Sequence, residues 1–342
     1  MTEASVQRIL AAYGLQAAAV YPVQKGYRNE SYAVRLHDAR TLNLILYKSE
    51  PNITDAIRRA NNVGTFLAAR RFPVRAPLDG RIVKLSAGGV HRYACLYNFL
   101  PGETIPWEAY TQKHIKLLGQ VMAEIHGALE AYIDTRLPRV ADEYAAIVGR
   151  MQRYFAGGQV SHAMVAKLGL TISEKVFTRE LYILRKCEKL RHQQALHMDF
   201  VRSNVLFSAK SGPYISGIID FEKTAFGHPL FDVARTLAFL LVDCKYKPAE
   251  KVRKYFLDSG YRKRGRRRLE RVTVINHGKQ IQLLEELVDI FLVYDFYKFL
   301  RHNPYECLSQ NEHFMRTRNL LLERGVITTT PIGSPLAESL LQ

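Results

Sequence analysis

Between Leu196 and Phe207 the chain reads Leu-His-Met-Asp-Phe-Val-Arg-Ser-Asn-Val-Leu-Phe, and Ile218-Ile219-Asp220-Phe221-Glu222 follows shortly after. Asp199 and Asn204 stand five residues apart on a loop that feeds one apolar stretch, Val205 to Phe207. Asp220 closes a second, Tyr214 to Ile219. The turn formers Ala209-Lys210-Ser211-Gly212-Pro213 between them predict two short strands in a hairpin. A hairpin brings the three oxygen-bearing side chains to one edge. Such a set suits phosphoryl transfer. One carboxylate takes the proton of an attacking hydroxyl, while an amide and another carboxylate hold the Mg²⁺ that neutralises a triphosphate. Asp and Asn in loops are more often turn formers and caps, so the expectation rests on their conjunction with His197, the two strands and Asp220.

His197, Asp199, Asn204 and Asp220 repeat the spacing of a kinase catalytic loop: His, any residue, Asp, four residues, Asn, then a strand ending in a metal-binding Asp. Glu222 stands where protein kinases carry the Gly of Asp-Phe-Gly. On these residues the chain resembles the aminoglycoside phosphotransferase (choline kinase-like) family, within the protein-kinase-like superfamily. The resemblance implies an α+β, protein-kinase-like two-lobe fold. It has a small N-terminal β-rich lobe and a larger, mostly helical C-terminal lobe, with ATP (or GTP) and Mg²⁺ between them. It implies transfer of the γ-phosphoryl to a hydroxyl of a small molecule. Asp199 would then be the base, Asn204 and Asp220 the metal ligands, and His197 a buttress of the loop. Arg202 becomes a candidate to stabilise developing phosphate charge, and Glu222 a further substrate or metal contact. Gly227, Pro229 and Asp232 match the family's Gly-x-Pro-x-x-Asp context, in which the Asp gives structural support to the catalytic loop. A helix cap is the plain alternative for Asp232.

Other elements must position that loop. Val6, Ile9, Leu10 and Tyr13 have helical spacing within residues 1–15. Val20 to Val23, a turn, and the alternating Tyr32, Val34 and Leu36 predict a hairpin. The resemblance makes this hairpin the cover of the phosphates, with Gly26 and Asn29 as nucleotide contacts, although one glycine is equally a plain turn former. Leu42 to Lys48 predicts a third strand, and Lys48 sits where kinases place the phosphate-contacting lysine. A lysine at a strand end is ordinarily a solvated gatekeeper. Thr54 to Ala69 predicts a helix on which family members carry a Glu that pairs with the lysine. Asn62 is expected at that position, with Glu50 or Asp55 as substitute acids. Arg81 to Leu85 and His91 to Phe99 predict a hairpin that runs into Pro101-Gly102. In kinases adenine docks on backbone groups of such a connector, here Tyr97, Asn98 and Phe99.

From Pro106 onward the pattern is helical, over 108–130, 140–156, 172–192, Asp232 through Leu241, 248–258, Ile275 to Leu300 and 309–324. His126, beside the apolar stripe of the first of these, is expected to be packed and not catalytic. The expected organisation is 1–98 as the nucleotide-binding lobe, 99–325 as the catalytic and substrate lobe, and 326–342 as a tail.

Bulk properties narrow the classes. With 342 residues, 47% hydrophobic and 24% charged, the chain has enough apolar content for a globular fold of two lobes. Its four cysteines are scattered without a CxxC pair, which argues against a zinc site or disulfide framework and points to the cytoplasm. No secretory signal is visible, and the longest apolar run, Leu237 to Val242, is too short to cross a bilayer. A net charge of +17 and pI near 9.7 favour acidic partners and do not favour polycationic aminoglycosides. The basic run 262–268 lacks interleaved aromatics and reads as a solvated face, not as a nucleic-acid site. Two kinase-fold rivals stay open: a Ser/Thr protein kinase, against which stands the lack of an ordinary activation segment after Asp220, and a nucleotide-binding pseudokinase, which suits the missing helix acid. Neither the substrate nor the oligomeric state is legible.

Overall fold

A computed structural model describes residues 3–25, 29–87, 89–208, 213–262 and 277–330. Gly26, residues 263–268 of the basic run and residues 331–342 of the expected tail lie outside the described residues. The chain forms two units: Met1–Ile105 with Arg202–Thr224, and Pro106–Val201 with Ala225–Gln342.

The first unit is built on an antiparallel sheet of β1 (Ala17–Val20), β2 (Gln24–Lys25), β3 (Glu30–Leu36), β4 (Thr41–Tyr47), β5 (Val83–Ala87) and β6 (Val90–Asn98). The order is β1-β3-β4-β6-β5, with β2 also paired to β3. Strand periodicity divides the apolar residues between two faces. Leu42, Leu44 and Leu46 join Tyr32, Val34, Leu36, Ala94 and Leu96 on one face, where Val6, Ile9 and Leu10 of α1 (Glu3–Ala12), with Tyr13 just after it, cover them. Ile45, Tyr47, Cys95 and Tyr97 take the opposite face and meet Ile53 and Ile57 of α2 (Ile53–Ala68). The first strand comes earlier than the expected Val20 to Val23, because Pro22 has no N–H to give and Tyr21 and Val23 are exposed.

On α2 the polar residue facing the sheet is Asn61, not Asn62. Asn61 is buried and accepts the Tyr97 hydroxyl at 2.8 Å, and Tyr97 bonds Tyr47 at 2.6 Å. Asn62 is exposed. Adjacent helical residues differ by about 100° in direction, so Asn61 turns into the core while Asn62 turns out to water.

The predicted hairpin is present as Val205–Ser208 paired antiparallel with Tyr214–Ile218. It belongs to the first unit through backbone bonds. Phe207 exchanges N–H···O bonds with Glu103 at 2.8 and 3.0 Å, Ile218 donates to Pro73 at 2.8 Å, and Arg75 donates to Ile218 at 2.9 Å. Gly102 permits the first of these contacts. Its φ is +115, and an added Cβ would collide with Ser216 Oγ and lie 2.8 Å from the Phe207 carbonyl oxygen.

The second unit is helical. Its main members are α3 (Gln112–Leu129), α4 (Val140–Phe155), α5 (Glu174–Glu188), α6 (Leu230–Asp243), α7 (His277–His302) and α8 (Glu312–Glu323). The aromatic residues of α7 are core, as expected. Phe296 stacks on Phe314 of α8 at 5.4 Å and on Phe155 of α4 at 6.4 Å, and Phe155 stacks on Phe177 of α5 at 5.6 Å. Two small ladders complete the unit: Gln194–Leu196 with Ala225–Gly227, and Leu170–Ile172 with Ile327–Thr329. The second ladder corrects the reading of 326–342 as loose throughout, because Ile327 is buried. Cys95, Cys187 and Cys244 are buried and Cys307 is exposed, all as free thiols. No helix among the described residues is long and apolar enough to cross a membrane.

Glu180 breaks the apolar stripe of α5. It is buried beside Phe177, Ile183 and Leu184, and neither carboxyl oxygen has a hydrogen-bond partner among the described residues. Burial, with the negative Asp289 adding to it, lifts its pKa well above the usual carboxylate range. The folded chain therefore keeps a proton that the unfolded chain releases near pH 4.5, so stability falls as pH rises above that value. Thermal unfolding should show Glu180→Met more stable than the parent by about 1–3 kcal/mol at pH 8, with the advantage shrinking toward pH 5. In the first unit, Gly102→Ala should lower stability by roughly 1–3 kcal/mol, read from the same melting curves.

Candidate active site

The His197–Val201 loop of the second unit takes its shape from one carboxylate. Asp232, in the first turn of α6, is 1% exposed and accepts the backbone N–H of His197 on Oδ2 and of Met198 on Oδ1, each at 2.7 Å. His126 of α3 donates from Nε2 to Oδ2 at 3.1 Å, and the Tyr261 hydroxyl lies 2.8 Å from His126 Nδ1. Met198 has φ +59. That conformation costs a non-glycine residue about 1–3 kcal/mol, which the two charge-assisted bonds to Asp232 offset. Burial opposes ionisation of Asp232, but His126 and the backbone N–H of His197 outweigh it and hold the carboxyl below its ordinary range. His197 is buried, takes the Asp199 N–H on Nδ1 at 3.2 Å and meets the Phe200 ring edge-on at 5.8 Å. His126 is thus packed, as expected, but its work is to brace the loop.

Asp199 is 7% exposed, and its Oδ1 accepts Nη2 of Arg235 at 2.7 Å. The other guanidinium branch, Nη1, donates to the Tyr144 hydroxyl of α4 at 2.7 Å. The guanidinium carbon also lies 5.5 Å from the Phe239 ring centre and 5.9 Å from that of Phe291. Burial disfavours the Arg235 charge, yet Tyr144 and Asp199 raise its pKa further above the ordinary arginine value. Burial pushes the Tyr144 phenol up to about 12, so it stays neutral. Reasoning from sequence passed over Arg235. Its signal was the i,i+3 spacing from Asp232, which puts both side chains on one helical face.

The first unit carries the remaining residues. Asn204 is buried at the end of a single 3₁₀ turn, Arg202–Asn204, in which Arg202 is half-buried. Asn204 Oδ1 lies 3.4 Å from the Ser203 hydroxyl, and its carbonyl oxygen accepts the Ile219 N–H at 3.0 Å. That bond puts Asn204 and Asp220 at the same end of the hairpin. Asp220 is half-buried with φ +66, a strained non-glycine at a predicted site position. Glu222 accepts Asn29 Nδ2 on its carboxylate at 3.2 Å and Arg59 Nη2 on its carbonyl at 2.8 Å. Asn29 Oδ1 in turn accepts the Lys48 backbone N–H at 3.2 Å. Lys48 is exposed just beyond β4, and among the described residues it makes no ion pair with α2. At the connector, Tyr97 turns its side chain to Asn61, and Asn98 commits its N–H to Ala76 O at 3.1 Å and its amide to Val74 and Ala76. Phe99 is exposed immediately after them. Asn204 and Asp220 offer hard oxygens, and Mg²⁺ takes few such ligands from a protein and the rest from water and phosphate. Among the described residues no cluster of three or more His, Cys, Asp or Glu could hold a metal by itself. Two oxygen donors at one end of the hairpin are chemically compatible with a metal whose remaining ligands come from phosphate and water.

Residues 19–267 match the phosphotransferase enzyme family. The chain belongs to that family. No curated protein matches this phosphotransferase. Solved structures resemble it over nearly its whole length at low identity. An amicoumacin kinase in complex with AMP-PNP and Ca²⁺ matches with TM-score 0.64 and 14% identity, over 97% of this chain and 98% of that one. A microcompartment-associated aminopropanol kinase has TM-score 0.59 and 15% identity, over 95% and 99%. The wild-type aminoglycoside 2'-phosphotransferase-IIIa complex with GDP has TM-score 0.57 and 14% identity, over 93% and 98%. The fold of the phosphotransferase is accordingly the protein-kinase-like, two-lobe α+β fold expected from its motifs.

Replacing Asp232 by Ala leaves the buried N–H groups of His197 and Met198 without their acceptor. Each lost partner costs about 1–3 kcal/mol, so Asp232→Ala should melt well below the parent, as followed by circular dichroism.

Proposed function

We propose that this phosphotransferase moves the γ-phosphoryl of ATP or GTP to a hydroxyl of a small molecule. The observation that carries the reading is Asp199: a buried carboxylate with one oxygen anchored by Arg235, on a loop whose strained Met198 is pinned by Asp232. A fixed carboxylate can orient a hydroxyl and accept its proton as the phosphoryl arrives. Arg235 holds Asp199 in one orientation through the 2.7 Å contact, which lowers the ordering required in the transition state. Asn204 and Asp220 would hold the divalent metal, which supplies charge neutralisation of the phosphates when bound. Glu222, tied to Asn29 and Arg59, would keep the segment after Asp220 in place. Lys48 is the expected phosphate contact, while Arg202 would face developing negative charge. The structural neighbours support both nucleotides, since one holds AMP-PNP with Ca²⁺ and another GDP.

A pseudokinase is the second reading, favoured by one feature. The α2 face that looks to the sheet presents Asn61, hydrogen-bonded by Tyr97, and no acid. An amide satisfies a hydroxyl but neutralises no lysine.

Asp199→Asn keeps an acceptor for Arg235 while removing the base. In an ADP-release assay across amino alcohols, sugars, aminoglycosides and macrolides, it should lower turnover by roughly 10²–10⁴-fold. The thermal shift given by Mg-ATP should persist. Full activity in this variant would overturn the assignment of the base, and a thermal shift without ADP release for any acceptor would favour the pseudokinase.

A further inference from the structure

Three elements of the first unit meet at Glu222. Its Oε1 accepts Asn29 Nδ2 at 3.2 Å, and its carbonyl oxygen accepts Nη2 of Arg59, on α2, at 2.8 Å. Asn29 directly precedes β3, and its Oδ1 takes the N–H of Lys48, just beyond β4, at 3.2 Å. One amide thus spans a carboxylate and a backbone N–H, with its donor end and its acceptor end both engaged. Burial lifts the Tyr47 phenol well above its ordinary range, and the negative Glu222 adds to that, so the carboxylate lies near this end of β4.

The same residue anchors the strained metal candidate. Asp220, with φ +66, lies between the Ile219 N–H, held by the Asn204 carbonyl at 3.0 Å, and the bonds of Glu222. A left-handed non-glycine persists only where its surroundings hold it from both sides. The acid expected on α2 plays no part here. The only acid of that helix, Asp55, is exposed and pairs with Arg58 at 3.1 Å. What α2 sends toward the segment after Asp220 is a cation, Arg59, and it lands on a carbonyl oxygen.

We propose that Glu222 is a positioning residue that serves as a hydrogen-bond acceptor and not as a metal or phosphate contact. Through Arg59 and Asn29 it ties α2, the start of β3 and the end of β4 to the segment carrying Asp220, the task a lysine–acid pair would otherwise perform. Its service to nucleotide binding rests on the phosphotransferase reading above, whereas the tie itself does not.

The test uses the full-length protein, with hydrogen exchange of the Lys48 amide followed by NMR and the Mg-ATP Kd by calorimetry. Glu222→Gln keeps an acceptor oxygen and should hold both quantities near those of the parent. Glu222→Ala and Asn29→Ala should speed Lys48 exchange and raise the Kd roughly three- to tenfold, the effect of one lost hydrogen bond. Arg59→Ala should do the same in the parent and add nothing in the Glu222→Ala background. Spectra that otherwise overlay on those of the parent report an intact fold. A Glu222→Gln variant as weak for Mg-ATP as Glu222→Ala, with Lys48 exchange at the parent rate, would show that the charge is needed and overturn the proposal. Lys48 exchange unmoved by Glu222→Ala would overturn the tie. No Mg-ATP binding by the parent would defeat the phosphotransferase reading and the nucleotide role with it, while the exchange pattern still decides the tie.

Discussion

The bond pair from Asp232 to the N–H groups of His197 and Met198 is the constraint on which the second unit's site depends. A left-handed Met198 would relax if left to itself, because its side chain gains nothing from that backbone conformation. Two short bonds to a buried carboxylate make relaxation costlier than strain. The carboxylate is itself braced by His126, which Tyr261 braces in turn. The brace therefore runs through three elements distant in sequence, and each link is buried where competing water cannot enter.

Arg235 extends the same logic from shape to charge. It stands one helical turn beyond Asp232, and its planar fork satisfies Asp199 and Tyr144 at once. Burying a guanidinium is costly unless it is paired, and pairing it with Asp199 turns that cost into orientation of the carboxylate. The aromatic rings around it, Phe239 and Phe291, complete its surroundings without adding charge. Structural support and chemistry here share one helix face.

In the first unit the hairpin of 205–218 is bound to the N-terminal sheet region by backbone, not side-chain, bonds. Phe207 with Glu103, and Ile218 with Pro73 and Arg75, form short ladders that are indifferent to side-chain identity. Asn29 then links the end of β4 to Glu222 through its own amide. Such ladders leave the surface residues free to vary while the metal-binding candidates keep their place.

Much of this was legible beforehand, for reasons of periodicity and spacing. Alternation in Leu42 to Tyr47 marked a strand with two covered faces, and the apolar stretches on either side of 209–213 marked the hairpin. Local rules of this kind need only neighbours in sequence. Tertiary structure alone decided which unit owns the hairpin, that Asn61 and not Asn62 turns inward, and that Arg235 reaches Asp199. Each of those depends on contacts between residues far apart in the chain, and a pattern read along one strand or helix carries no information about what that element will be packed against.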